Sequence, residues 1–252
     1  MALCLPLARA LAKPGQRVLA PARAVAVLLP MWLASSFCYI SALEFAPAGL
    51  VQTLFGTAPA VVAAMSRVLL AEPFTPRRGA AAVFAFAGML AVGLSAWGGG
   101  SRGAAGMLLG AALALLAVLS AAGYKVGFKF WFGFPPASEV LGVVGTLGVA
   151  AGLLGVPVAF ALGATGVEDR WWREGAVVNW PLLVGSAVVD AIYGIAVAFG
   201  VALSSPIVVA FGAILGIPSN LVIDAIAFGT TPGAAEIAGA ALIVASFVLC
   251  VA

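Results

Sequence analysis

The chain has 252 residues, 64% of them hydrophobic and 8% charged, with a formal net charge of +3 and a mean hydropathy of +1.19. Soluble domains carry roughly 25% charged residues; with so few, most of the exterior must face lipid, and a soluble globular protein is excluded. Three scattered cysteines (Cys4, Cys38, Cys250) and no histidine leave neither a disulfide framework nor a metal ligand set, no cofactor is expected, and no basic patch with interleaved aromatics suggests nucleic acid.

The first 23 residues contain Arg9, Lys13, Arg17 and Arg23 and no acid, and are expected as a basic cytosolic segment. The apolar stretch before Arg9 is about five residues, too short for the apolar region of a signal peptide, which needs roughly seven to fifteen. An organelle transit segment stays open on composition, although such segments are Ser-rich and the first serine here is Ser35. Eight apolar runs with few charges then follow with short turns, at 24–43, 47–71, 79–98, 103–130, 137–164, 178–203, 204–228 and 233–252. Each has the length and continuity of a membrane helix, and none shows the ten-residue alternation of a barrel strand. The fold class is therefore all-α, a polytopic bundle of membrane helices with no room for a soluble domain. The longest connection, from Thr165 to Val177, combines Glu168, Asp169, Arg170, Arg173 and Glu174 with the interfacial aromatics Trp171 and Trp172.

Lys and Arg set the orientation. With a cytosolic N-terminus the inner side receives the four basic residues of the leading segment together with Arg67, Arg77, Arg78, Lys125 and Lys129, and the outer side receives Arg102, Arg170 and Arg173. That asymmetry predicts both termini in the cytosol.

An internal repeat organises the spans. The stretch ALEFAPAGLVQTLFGTAPAVVAAM from Ala42 pairs with VALSSPIVVAFGAILGIPSNLVID from Val201, so that Pro47 matches Pro206 and Pro59 matches Pro218. The copies lie on the second and seventh spans and so cross the membrane in opposite directions, the mark of an inverted-repeat transporter with its site between the halves. A five-span repeat fits 103–252, whereas 24–98 supplies three spans; the sequence reads as eight spans of an expected ten, the absent pair belonging upstream of Ala24. Pro59 and Pro218 fall near the middle of their spans, where each removes a backbone donor and is expected to kink the helix.

The block PAVVAAMSRVLLAEPFTPRRGAAAVFAFAGMLAVGL and the inverted repeat resemble the EamA-type drug/metabolite transporter superfamily. AAGYKVGFKFWFG, VAFGVALSSPIVVAFGAILGIPSNLVIDAIAFG and GAALIVASFVL narrow the resemblance to subfamily F of solute carrier family 35, over roughly residues 24 to 252. The resemblance implies a solute transporter; members of that subfamily are proposed thiamine transporters, and relatives in the wider family move nucleotide sugars.

Ionisable groups inside spans cost about 2.5 to 3.5 kcal/mol at a helix centre and usually face a cavity or a partner. Asp190 lies about twelve residues into the sixth span, near the midplane at about 1.5 Å per residue, and Tyr193 shares its helix face; together they suit a cationic ring. Lys125 and Lys129 share a face near the cytosolic end of the fourth span, as snorkelling anchors or as contacts for an anionic group or the substrate mouth. Asn220 and Asp224 follow Pro218 at i and i+4, Gln52 occupies the corresponding region of the first repeat, and Tyr39 and Tyr124 lie in spans. These eight, without Lys129, are the candidate substrate-binding residues; interhelical clamps and aromatic packing are the structural alternatives for the last five. Pairs of glycines four apart, Gly106/Gly110, Gly123/Gly127, Gly148/Gly152 and Gly212/Gly216, suit close helix approach and leave a homodimer open.

An intramembrane serine protease needs a histidine base, which the chain lacks. An aspartyl dyad of Asp190 and Asp224 would need carboxylates about 3 Å apart, yet span geometry sets them about 9 Å apart in depth. The chain is not expected to be an enzyme; a non-transporting membrane scaffold or a degenerate fragment is the remaining alternative. The expected partners are a small-molecule solute and the lipid bilayer.

Overall fold

The computed structural model describes residues 1, 3–13, 18–73, 75–95, 104–165, 179–229 and 231–251. Among these the chain is all-α, with helices α1 (Cys4–Leu11), α2 (Ala22–Phe45), α3 (Ala48–Phe55), α4 (Ala58–Leu69), α5 (Pro76–Ser95), α6 (Ala104–Phe132), α7 (Ala137–Thr165), α8 (Trp180–Leu203), α9 (Pro206–Ile214), α10 (Gly216–Phe228) and α11 (Ala234–Val251). Eight segments are long and apolar enough to cross a bilayer, α3 with α4 and α9 with α10 each making one span. Their limits fall within a few residues of the apolar runs, because charge, Pro and Gly mark where a run of about 20 residues leaves the hydrocarbon. The charged outer connection and its two tryptophans lie outside the described residues.

The chain forms two compact units, each discontinuous in sequence. The first comprises Met1–Leu29 and Phe134–Leu203. Here the basic leading segment is not loose: α1 turns Cys4 and Ala8 inward and packs along α7. The fit depends on two glycines near the start of α7. A methyl group added at Gly145 would lie 2.9 Å from the backbone nitrogen of Leu5, and one at Gly142 would collide with the carbonyl of Val18. The Ala20 N–H donates to Thr146 Oγ1 at 3.4 Å, tying the segment's far end to the same helix. α8 also packs on α7, and most of its surface, including Leu182, Leu183, Val184 and Val189, is exposed.

The second unit comprises Pro30–Gly133 and Ser204–Ala252. α5 and α11 pack most closely in it, since Gly88 and Gly239 face each other: a methyl on either would lie 2.6 Å from the other's carbonyl oxygen. Around this pair a core gathers Val62 and Ala63 of α4, Ala85 and Met89 of α5, Ala122 and Val126 of α6, Ile207, Ala210 and Phe211 of α9, and Ile243 of α11. A second cluster joins Ala42, Ala46 and Val51 to Ala114 of α6.

The repeated spans break at equivalent positions. α3 ends at Phe55 and α9 at Ile214, each four residues before its proline, Pro59 or Pro218. The cause is local: a proline has no N–H for the carbonyl four residues back, and its ring crowds that carbonyl. The following halves, α4 and α10, end at Leu69 and Phe228, again equivalent under the pairing of the two repeats. A proline alone is not sufficient, because Pro30 and Pro157 lie inside α2 and α7 without ending them.

Candidate functional site

The interrupted spans meet on α6. In the second unit α4 and α9 pack against each other and both pack against α6, so two half-helices of the repeat and one continuous helix share a common face. α6 carries a buried stripe of small residues, Ala114, Val118 and Ala122, of which Ala114 packs with Ala42, Ala46 and Val51 and Ala122 joins the core that holds Val62 of α4 and Ile207 of α9. The same stripe carries Lys125 and Lys129, each 7% exposed. Both lysines are thus buried among packed helices, where a snorkelling anchor would lie along an outer surface; the alternative, contact with an anionic group or the substrate mouth, needs no such surface.

Their surroundings differ. Lys129 Nζ donates to the carbonyl oxygen of Ser204 at 2.8 Å, and the Glu72 carboxylate lies near enough to attract it. Glu72 itself stands 3.6 Å from Arg78, whose guanidinium donates to the Pro73 carbonyl at 3.3 Å. This knot ties the α4–α5 connection and the end of α6 to the start of α9. Ser205 caps α9, accepting from the Val208 N–H at 3.4 Å, with Pro206 at the first helical position where its missing N–H costs nothing. Lys125, one turn deeper in the span, has no hydrogen-bond or ion-pair partner among the described residues. Tyr124 beside it is half-buried, at the head of an aromatic ladder through Phe128 to Phe132.

Two other candidates come together directly. Gln52 Nε2 donates to the Tyr39 hydroxyl at 3.1 Å, and the Tyr39 ring meets Phe55 edge to face with centroids 5.0 Å apart. Both Gln52 and Tyr39 are half-buried, on α3 and α2 of the second unit. Thr53, which the sequence did not single out, is buried and donates to the Gly49 carbonyl at 2.8 Å. Gly93 packs against it, where a side chain would collide with the Thr53 hydroxyl.

The remaining candidates lie on open faces. Asp190 and Tyr193 are exposed on α8 of the first unit, and Asn220 and Asp224 are exposed on α10 of the second. The Asp224 carbonyl accepts from Gly229, whose left-handed conformation ends α10. Of the glycine pairs, Gly110 and Gly123 make close approaches, to Ala46 and to Met31, while Gly152 and Gly216 have open space around them. Sequence reasoning also missed Glu72 and Ser66; the Ser66 hydroxyl is buried without a partner among the described residues. A serine in an apolar run gives no signal of its burial.

Residues 1–94 match the EamA-like transporter family. Over 194 residues, 77% of this chain, the sequence is 30% identical to solute carrier family 35 member F3 of Homo sapiens, and over the same length 27% identical to the Mus musculus protein of that name. The matched stretch is 44% of each relative, so the chain spans less than half the length of the curated relatives it matches. It is a multi-pass membrane protein resembling drug/metabolite transporters of the subfamily F type.

Proposed function

We propose that the chain moves a small organic solute across a membrane by alternating access. The observation that carries this is the pair of spans interrupted at equivalent positions and packed on α6. Discontinuous helices are costly in lipid, because the freed backbone groups need partners, and they are retained where a solute or ion is bound near the midplane. The similarity to EamA-like transporters and to solute carrier family 35 member F3 supports the same reading. The basic asymmetry supports both termini in the cytosol, and the glycine pairs are compatible with a homodimer.

Within this reading the eight candidate residues divide by charge. In the first unit Asp190 with Tyr193 favours an organic cation such as thiamine; in the second unit Asn220, Asp224, Gln52, Tyr39 and Tyr124 offer polar or aromatic groups to a solute. Lys125 favours a solute with an anionic group, of which a nucleotide sugar is one class. The test is uptake into proteoliposomes carrying the purified chain, with labelled thiamine, a nucleotide sugar and a small phosphorylated metabolite offered in turn. Saturable uptake of one of them, above protein-free vesicles and competed by its unlabelled form, is the expected result. Uptake no faster than passive leak for the whole panel would favour a non-transporting scaffold.

A further inference from the structure

Among the described residues, Lys125 is a buried charged side chain that the packing does not explain. It sits in the middle of the buried stripe of α6, with Ala114, Val118 and Ala122 before it and Lys129 one turn after. Lys129, equally buried, is accounted for by the Ser204 carbonyl and Glu72. Lys125 has no partner among the described residues, and an unpaired ammonium in a packed, apolar stripe is unfavourable. Snorkelling toward the nearer end does not relieve it. Helical side chains lean toward the N-terminus of their helix, and on α6 that direction leads from Lys125 away from Phe132 and into the span.

The helices packed on α6 here are those that break at a proline: α4 follows the break before Pro59, and α9 precedes the break before Pro218. α4 packs directly on α6, as does α9, which leads into α10. A buried ammonium without a counter-ion, beside interrupted helices, is the recognition chemistry for a negative oxygen group.

We infer that Lys125 binds the phosphate or carboxylate group of the transported solute where α6 meets the interrupted spans, an inference that rests on the transport reading. The solute is then one with at least one anionic oxygen group; a plain organic cation leaves Lys125 unpaired. Lys129 does not share this role, because its ammonium is committed to the Ser204 carbonyl. An anionic lipid headgroup offers the same chemistry as a soluble anion, so the two sources are separated by experiment.

The experiment is thermal unfolding of the purified full chain in a neutral detergent, titrated with inorganic phosphate or acetate against sodium chloride of matched ionic strength. It is repeated in nanodiscs of phosphatidylcholine with and without phosphatidylserine. Phosphate or acetate is expected to raise the midpoint, and Lys125→Met to weaken that response at least tenfold. Because Lys125 gives up no partner, Lys125→Met without anion is expected to unfold at the wild-type midpoint or above it. Lys129→Arg, which keeps the charge, is expected to retain the anion response. A wild-type chain indifferent to both anions, or an unchanged response in Lys125→Met, would overturn the inference. So would a lower anion-free midpoint in Lys125→Met, which would show a structural partner. A response to phosphatidylserine alone, removed by Lys125→Met, would assign the residue to lipid and overturn the solute role. A Lys125-dependent phosphate response in a chain that moves no solute leaves the anion site standing and sinks only the transport reading.

Discussion

α6 and α8 are nearly the same helix by composition and opposite helices by environment. Their apolar windows have mean hydropathies of 2.2 and 2.1, and each carries one ionisable residue well inside the span, Lys125 or Asp190. Yet 33% of the α6 window is buried and only 6% of the α8 window. The difference follows from small residues placed where a neighbour comes close. Gly110 of α6 lies against Ala46, Ala114 is buried in the same cluster, and Val118 and Ala122 are buried further along, whereas Gly185 of α8 has nothing within 4 Å of where a side chain would begin. Depth along a span and burial within the protein are thus separate properties, and hydropathy reports only the first.

The largest effect expected from this contrast is at the α6 approach. Gly110→Val would drive a side chain into Ala46, whose backbone nitrogen would lie 2.9 Å from the first added carbon, and should cost about 3 kcal/mol of stability. Unfolding in mixed micelles would measure it; a loss under about 0.5 kcal/mol would mean that the approach is looser than described. Lys129→Met comes next, losing about 2 kcal/mol because a charge-assisted bond to the Ser204 carbonyl disappears. The same assay reads it, and a neutral result would remove the distinction drawn between Lys129 and Lys125. Asp190→Asn on the open face of α8 should leave the unfolding midpoint in place. If an organic cation is carried there, its uptake falls about tenfold, the loss of one charge-assisted contact; unchanged uptake would take Asp190 out of the site. Smallest of all is Gly185→Val, expected within about 0.5 kcal/mol of wild type, since the added carbons meet open space. If it matched Gly110→Val, the contrast between the two helices would fail.

What the sequence disclosed follows from the kind of force involved. The eight spans were legible because the bilayer imposes a length and excludes charge, and both limits appear directly in composition. The interruptions were legible in part: Pro59 and Pro218 announced a disturbed helix, but the break sits at Gly56 and Leu215, just past the Phe55 and Ile214 carbonyls that the prolines cannot bond. Partners distant in the chain were not legible. Nothing in the runs of α6 and α9 announces that Lys129 reaches Ser204, or that Gly88 meets Gly239, because such contacts depend on packing that periodicity does not encode. For the same reason Lys125 and Lys129 looked like one pair of anchors until their surroundings separated them.

Alternating access requires the Lys125 stripe of α6 to open to one side of the membrane and then to the other, and Ala122 reports on it with Lys125 left intact. Cys4, Cys38 and Cys250 are replaced by Ala, Ala122→Cys is introduced, and a membrane-impermeant thiol reagent is added to sealed vesicles from the inside or the outside. Ala122 is fully buried in the packed state, so reaction requires opening. Alternating access predicts labelling from both sides, slowed by an anionic solute that occupies the stripe. Labelling from one side only, or from neither, would contradict the account.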